Sequence, residues 1–298
     1  LSATIHCRTA TPRREDIRML ERIQHPNGVV TWQSPRLRTI GIPHGFATRI
    51  GGVSDGPFAA LNLGNPSGCT TVDMDERITE NYARLQDAIG LSGIQRAWVK
   101  QVHGDAVVVV GATIDGDAPQ RDATLAAEIR EHWSGQTNGD ALLTTHPGVA
   151  LSIRIADCVP VLLASADGKI VGAAHAGWRG VVQEIVPRLV RAFGEEGVLP
   201  SQLIAAIGPG ISVEHFEVGP EVAEAFARAG LAAAVQDSPN GKPHIDLQAA
   251  LQLQLARAGV LAVDGNACCT VRDISDFYSH RRAHGITGRM AALIEARA

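Results

Sequence analysis

Three short stretches of this 298-residue chain carry side chains that bind metals or act as nucleophiles. They are Lys100-Gln101-Val102-His103-Gly104, Ile155-Ala156-Asp157-Cys158-Val159-Pro160 and Ala174-His175-Ala176-Gly177-Trp178-Arg179-Gly180. In each, a His or Cys sits at the end of an apolar run that reads as a strand, and strand ends are where rigid sites are built. Imidazole and thiolate both suit zinc. His103 and Cys158 lie 55 positions apart, and Cys158 and His175 lie 17 apart. That is not zinc-finger spacing, and the chain has no CxxC. Three protein ligands with no fourth nearby match a catalytic zinc, whose open position takes a water with a pKa lowered to about 7. Two other readings of the same residues stay open. Cys158 could be a buried small hydrophobe between two strand-capping histidines, or Cys158 and His175 a nucleophile and its base. His280 and His284 form an HxxxH after the adjacent Cys268 and Cys269. Neighbouring cysteines grip one ion poorly, so no finger is expected there.

Hydrophobic periodicity indicates the elements that must hold these residues. A helix is expected over 73–89, where Met74, Ile78, Tyr82, Leu85 and Ile89 recur at three-to-four spacing before Gly90. Strands over 97–102 and 106–110 read as joined by a turn at His103-Gly104-Asp105. Apolar strands over 149–155 and 159–164 flank Asp157-Cys158, and Asp167-Gly168 marks a hairpin turn before a strand over 170–174. Residues 177–193 read as one helix, with Val181, Ile185, Leu189 and Phe193 on a face and a bend at Pro187. A strand over 203–207 and helices over 220–229, 247–258 and 286–298 complete the pattern. Residues 45–64 are loop-rich, and 115–138 read as a polar surface insertion with a short helix over 122–133. Hairpins mixed with helical crossovers imply an α+β layered fold. No Pro/Gly/Ser linker divides the chain. The expected organisation is an N-terminal arm with the first strands over 1–44, followed by one catalytic domain over 45–298.

Composition narrows the function classes. A hydrophobic share of 45% supports a sizeable core, and 27 basic against 31 acidic residues give a net charge of −4. That balance argues against a nonspecific nucleic-acid binder and leaves room for a local basic pocket. No apolar run reaches the roughly 18 residues of a membrane span. Residues 1–22 mix Arg8, Arg13, Arg14 and Arg18 with Glu15, Asp16 and Glu21 and lack a signal-peptide core. They read as a frayed or partly helical arm. Five cysteines at irregular spacing, two of them adjacent, do not form a disulfide framework. A reducing compartment, the cytoplasm, is therefore expected. Cys7, Cys69 and Cys268 have no supporting constellation.

Taken together, the motifs resemble the YfiH/laccase-domain family, also described as the polyphenol oxidase or purine nucleoside phosphorylase family. The match runs from about Phe46 to the C-terminus. It joins the three stretches above to Thr48-Arg49-Ile50-Gly51-Gly52-Val53-Ser54, Leu61-Asn62-Leu63-Gly64, Gly208-Pro209-Gly210-Ile211 and Phe216-Glu217-Val218-Gly219. Cys269-Thr270, Phe277-Tyr278-Ser279-His280-Arg281-Arg282 and Gly288-Arg289 continue it. The resemblance implies zinc at His103, Cys158 and His175, with copper as the alternative metal of older laccase descriptions. It implies a four-layer αββα fold with mixed β-sheets, related to the cytotoxic necrotizing factor catalytic domain. The implied activities are phosphorolysis of adenosine, inosine, guanosine and methylthioadenosine, and deamination of adenosine. Purine nucleosides and phosphate are then the partners, with no nucleic acid and no membrane; a homodimer is compatible with the sequence and not fixed by it. Two departures stand out. Ile155 occupies a position where Thr is common, and the insertion is longer than bacterial members lead one to expect.

Roles follow from the chemistry the resemblance implies. Phosphorolysis needs a dianion placed at the anomeric carbon, and arginine forks match phosphate geometry. Arg49, Arg179, Arg281 and Arg282 are the candidates, each with a structural ion pair as the competing role. Gly208-Pro209-Gly210 reads as a plain turn ahead of an anion nest. Asp157, beside a ligand, could carry a proton or orient a neighbour in deamination. Asn62 could bind ribose or base, or stabilise a turn; Asp140 has the same ambiguity. Trp178 reads as a core anchor ahead of a purine-stacking ring. Three other functions compete: a copper polyphenol oxidase, a Cys158/His175 thiol hydrolase and a non-enzymatic, zinc-stabilised binding protein. A four-copper laccase needs about ten His and a Cys, whereas the 11 His here are scattered and form no HxH.

Overall fold

Apolar and β-branched runs separated by glycine turns make this a strand-rich chain, and the computed structural model describes residues 17–111, 134–238 and 241–298. Strands come in the order β1 (Arg18–Met19), β2 (Glu21–Gln24), β3 (Val30–Gln33), β4 (His44–Ala47), β5 (Gln95–Lys100), β6 (Val107–Val110), β7 (Ser134–Asn138) and β8 (Ala141–Thr144). They continue as β9 (Val149–Ile155), β10 (Val159–Ser165), β11 (Val171–Ala176), β12 (Leu203–Ile207), β13 (Val235–Gln236), β14 (His244–Ile245), β15 (Ala262–Gly265) and β16 (Met290–Glu295). The α-helices are α1 (Pro35–Thr39), α2 (Asp75–Ala88), α3 (Trp178–Val182), α4 (Ile185–Glu195), α5 (Pro220–Arg228) and α6 (Leu247–Arg257).

Two seven-stranded sheets form, in the orders β1-β15-β12-β10-β11-β8-β6 and β2-β3-β4-β16-β9-β5-β7, and β13 pairs with β14 in a separate ribbon. Both large sheets are mixed: β10 runs antiparallel to β11 and β12, while β6 is parallel to β8 and β5 parallel to β9. Phe46, Ile153 and Leu293 of one sheet share a core with Leu142, Leu162 and Ala173 of the other. On the far side of the first sheet, Leu189 and Phe193 of α4 and Leu251 and Leu255 of α6 cover Val161, Leu163 and Ala205. Gly172 lets α4 settle there, because a Cβ at that position would stand 2.9 Å from the Phe193 ring. Helix α2 covers the second sheet with Tyr82, Leu85 and Ile89. Its Ile89 rests over Gly45, where a Cβ would be 3.0 Å away. The result is the four-layer αββα arrangement with mixed sheets.

Several expectations change at the level of elements. Residues 286–298 do not form a helix; the segment contains β16, buried along its whole length between β4 and β9. Its Met-Ala-Ala-Leu-Ile run favours a helix locally, but a strand covered on both faces shows no alternation to reveal it. The helix expected over 177–193 is two helices, α3 and α4, broken at Glu184 with φ 65°. Pro187 does not cause the break: it lies in the first turn of α4, where the missing N–H is not needed. The strands flanking His103 form no hairpin, since β5 and β6 belong to different sheets. Within the expected arm no helix forms over 17–22: Arg18–Met19 is β1, paired with β15, and Glu21–Arg22 open β2, paired with β3. β4, which spans position 44/45, pairs with both β3 and β16. Ser134–Asn138, at the end of the expected insertion, forms β7; the rest of that stretch, with the helix expected over 122–133, and Cys7 lie outside the described residues. Among the described residues no helix is long and apolar enough to cross a membrane.

Candidate active site

The chain passes from the second sheet to the first at three nearby corners. These are 101–106 between β5 and β6, 139–140 between β7 and β8, and 156–158 between β9 and β10. The corners carry His103, Asp140 and Cys158. His175 comes from β11, whose partner in the ladder is β10, with Pro160 opposite His175. Turning a strand from one sheet into another within two to six residues forces unusual backbone, and His103 and Asp157 accordingly have φ of 60° and 89°.

The ligand atoms of His103, Cys158 and His175 lie within 4.8 Å of one another. His103 is exposed, Cys158 half-buried and His175 buried, so the trio opens to solvent on the His103 side. The two imidazoles meet edge-on with centroids 4.9 Å apart. Gly177 keeps the space free: a Cβ there would stand 3.1 Å from both Cys158 Sγ and His103 Cδ2.

Asp140 organises the trio from behind. It is fully buried. Its Oδ1 accepts from His175 Nδ1 at 2.8 Å and from His103 N–H at 3.0 Å. Its Oδ2 accepts from the N–H groups of Gly104 at 2.7 Å and Val102 at 3.2 Å. Its backbone carbonyl accepts from His175 N–H at 2.7 Å. Burial alone would raise this carboxyl's pKa, but the His175 bond and the backbone N–H groups overcome it and hold the group ionised. The Nδ1 bond leaves His175 Nε2 as the nitrogen free for the trio. Burial also opposes charge on Cys158, yet the adjacent His175 and the hydrogen bonds from both histidines draw the thiol's pKa down. His175 is drawn up in turn, against its burial, by Cys158 and Asp140. One thiolate and two imidazoles form the donor set that zinc or copper takes, so the residues fit a metal. Among the described residues this is the one such cluster.

The trio lines a cavity of about 480 Å³. Of the residues expected at the site, Asp157, Arg179 and Arg281 also line it. Asp157 has both oxygens engaged, accepting from Thr270 Oγ1 at 2.6 Å and from Arg281 N–H at 2.7 Å. Arg179 lies over the Trp178 ring at 4.3 Å. Arg281 donates to the carbonyls of His215 and Glu217. Trp178, Ile211, Phe216 and Leu247 form an apolar wall.

Three expected binding residues are elsewhere. Arg49 donates to the Ala59 carbonyl and lies 4.6 Å over the Tyr278 ring. Arg282 donates to the carbonyls of Thr270, Val271 and Phe277, tying a loop together. Asn62 is fully buried; its amide donates to Asp73, and its oxygen accepts from the N–H groups of Gly64 and Arg289. Arginine in a glycine-rich loop signals a ligand and a loop strut equally well, because unpaired loop carbonyls are also good partners. Gly208 forms no anion nest, since its N–H donates to the Pro160 carbonyl. Sequence reasoning assigns no role to Gln101, Arg154 and Arg289, which line the cavity. The available signals are a lone Arg inside the apolar run Leu151-Ser152-Ile153-Arg154-Ile155 and the Arg that precedes β16.

Residues 43–297 match the family described as multi-copper polyphenol oxidoreductase laccase. A purine nucleoside phosphorylase of Deinococcus radiodurans is 41% identical over 259 residues, covering 87% of this chain and 91% of that protein. One of Corynebacterium glutamicum is 36% identical over 250 residues, covering 84% and 92%. Among solved structures, YlmD from Geobacillus stearothermophilus superposes with a TM-score of 0.78 at 30% identity, over 93% of this chain and 99% of that one. YfiH from Bacillus licheniformis gives 0.78 at 26% identity with the same coverage.

Proposed function

Since this chain belongs to the multi-copper polyphenol oxidoreductase laccase family, with relatives named purine nucleoside phosphorylase, we propose that it is a zinc-dependent purine nucleoside phosphorylase that also deaminates adenosine. The observation that carries this reading is the convergence of His103, Cys158 and His175 on a cavity with one apolar wall and several cations. His103, Cys158 and His175 would hold the zinc ion, which would supply a Lewis acid there. Asp140 fixes the His175 tautomer and the His103 loop. Trp178, Phe216 and Leu247 offer apolar side chains for a purine to pack against, with Arg179 over the Trp178 ring and Arg281 over the Phe216 ring. Asp157 holds the Arg281 segment against the cavity, the role we assign it in place of proton transfer.

Purified protein is expected to carry about one zinc per chain. With phosphate present it should convert adenosine to adenine and ribose 1-phosphate, and should form inosine whether or not phosphate is present. Cys158→Ala should lose the metal and both reactions. Zinc-loaded protein that consumes no nucleoside, alongside copper-loaded protein that oxidises a phenol, would favour the polyphenol oxidase reading.

A second reading has its own support. Cys158, His175 and Asp140 stand in the order nucleophile, base and orienting carboxylate. In this thiol hydrolase reading His175 is the base, and His103 only helps His175 draw the thiol's pKa down. His103→Ala separates the two: it should abolish a metal-dependent activity and spare a thiol-dependent one.

A further inference from the structure

The cavity contains a pair of arginines that no carboxylate pairs with directly. Arg154 lies opposite Ala291 in the β9–β16 ladder, which puts Arg289, two residues before Ala291, diagonally beside it on the same face. The Arg154 backbone is clamped by the Gln101 amide, which donates to its carbonyl at 2.8 Å and accepts from its N–H at 2.9 Å. Its side chain lies across Gly64, where a Cβ would be 2.9 Å from Cδ and 3.0 Å from Nη1. A residue other than glycine there would displace the guanidinium. Among the described residues that guanidinium has no hydrogen bond or ion pair. Arg289 spends Nη1 on the carbonyls of Thr287 and Gly288, and among the described residues its other guanidinium nitrogens have no partner. Asn62 anchors its backbone. Asp157 is the one carboxylate among the described lining residues, and its oxygens are taken by Thr270 and Arg281.

Two guanidinium groups lining one cavity repel each other; Asp157 and Cys158 offset that repulsion only in part, and an anion between the arginines relieves the rest. Arginine forks match the geometry of a tetrahedral oxyanion. We propose that Arg154 and Arg289 form the oxyanion subsite of this cavity and hold a phosphate dianion beside Asn65 and Ser67. The role of that phosphate as a reactant rests on the phosphorylase reading above; the subsite itself does not. It assigns to Arg154 of β9 and to Arg289, just before β16, the task that the motifs suggest for Arg49 and Arg282.

The test is equilibrium binding of inorganic phosphate to the zinc-loaded full chain, by calorimetry or ³¹P line broadening. It compares wild type with Arg154→Met, Arg289→Met and Arg154→Lys. Each Met variant should bind phosphate about ten- to a hundredfold more weakly, and Arg154→Lys should recover part of the loss. Arg289 also braces its own turn, so zinc content and Tm are measured on every variant, and Arg154→Met, whose guanidinium braces nothing, is the deciding variant. Phosphate binding at wild-type strength in both Met variants overturns the subsite. So does phosphorolysis by Arg154→Met with an unchanged KM for phosphate, which leaves the phosphorylase reading standing. A parallel titration with a nucleoside 5′-monophosphate separates free phosphate from a phosphate carried on the substrate. Binding of the nucleotide alone, lost in Arg154→Met, supports the subsite and removes the phosphorylase reading.

Discussion

Asp140 places a full negative charge at a position where four N–H donors point inward, two of them on His103 and His175 and two on the neighbours of His103. Asparagine at 140 has nearly the same shape, but its NH2 group must face two of those donors. Asp140→Asn is therefore expected to cost about 1–3 kcal/mol of stability, from unsatisfied buried N–H groups. It should also lower zinc affinity by about ten- to a hundredfold, as loss of a partner behind a ligating His does. Chelator competition measures the second effect and urea unfolding the first; zinc affinity unchanged within twofold would remove Asp140 from the site. His103, Cys158 and His175 can be picked out from the sequence because their side chains are chemically distinctive and end apolar runs. Asp140 stands out only as a residue that could bind a ligand or stabilise a turn, because a carboxylate after a glycine looks like any turn. Its importance comes from the donors folded around it.

Strands with one face in solvent announce themselves by alternation, and those covered on both faces do not. β9, β10 and β11 are legible because they are short apolar runs bounded by Gly, Pro or Asp-Gly. β16 is not, and its residues read locally as a terminal helix. At the start of β4, His44 is buried, with Nδ1 donating to the Ile42 carbonyl at 2.8 Å and Nε2 accepting from Ser34 N–H at 2.8 Å. Burial pushes its pKa down to about 4, against an ordinary value near 6.5. The unfolded chain thus binds the proton that the folded one refuses. Stability from His44 is complete above pH 6.5 and is lost as pH falls from there toward 4. The loss is on the order of 3 kcal/mol. Urea unfolding at pH 7, 6, 5 and 4 should show this decline, and His44→Asn should flatten it. An identical pH slope in the variant would mean that His44 does not titrate in this range.

β16 also makes the second sheet one body, since it pairs with β4 on one side and β9 on the other. Deleting residues 290–298 would strip both neighbours of their hydrogen bonds and remove buried Met290, Leu293 and Ile294. Those side chains alone contribute about 1.5–3 kcal/mol each, against a typical domain stability of about 5–15 kcal/mol. The truncated chain is expected to be insoluble or to lack a cooperative melt by circular dichroism; a sharp transition near the wild-type Tm would refute this. Local information suffices for the layered α+β class, the loop-rich and helical stretches around α2, α5 and α6, and the three side chains of the candidate metal centre. Ligand identity lies in side-chain chemistry, and amphipathic elements lie in periodicity, both of which are properties of short windows. The two-sheet topology, the corner at His103 that replaces a hairpin, the placement of Arg154 and Arg289, and the exclusion of Arg49, Arg282 and Asn62 from the cavity depend on contacts between distant residues, such as Asn62 and Arg289, 227 positions apart. No short window carries that information, because which arginine meets the cavity is decided by which strands become neighbours once the two sheets pack.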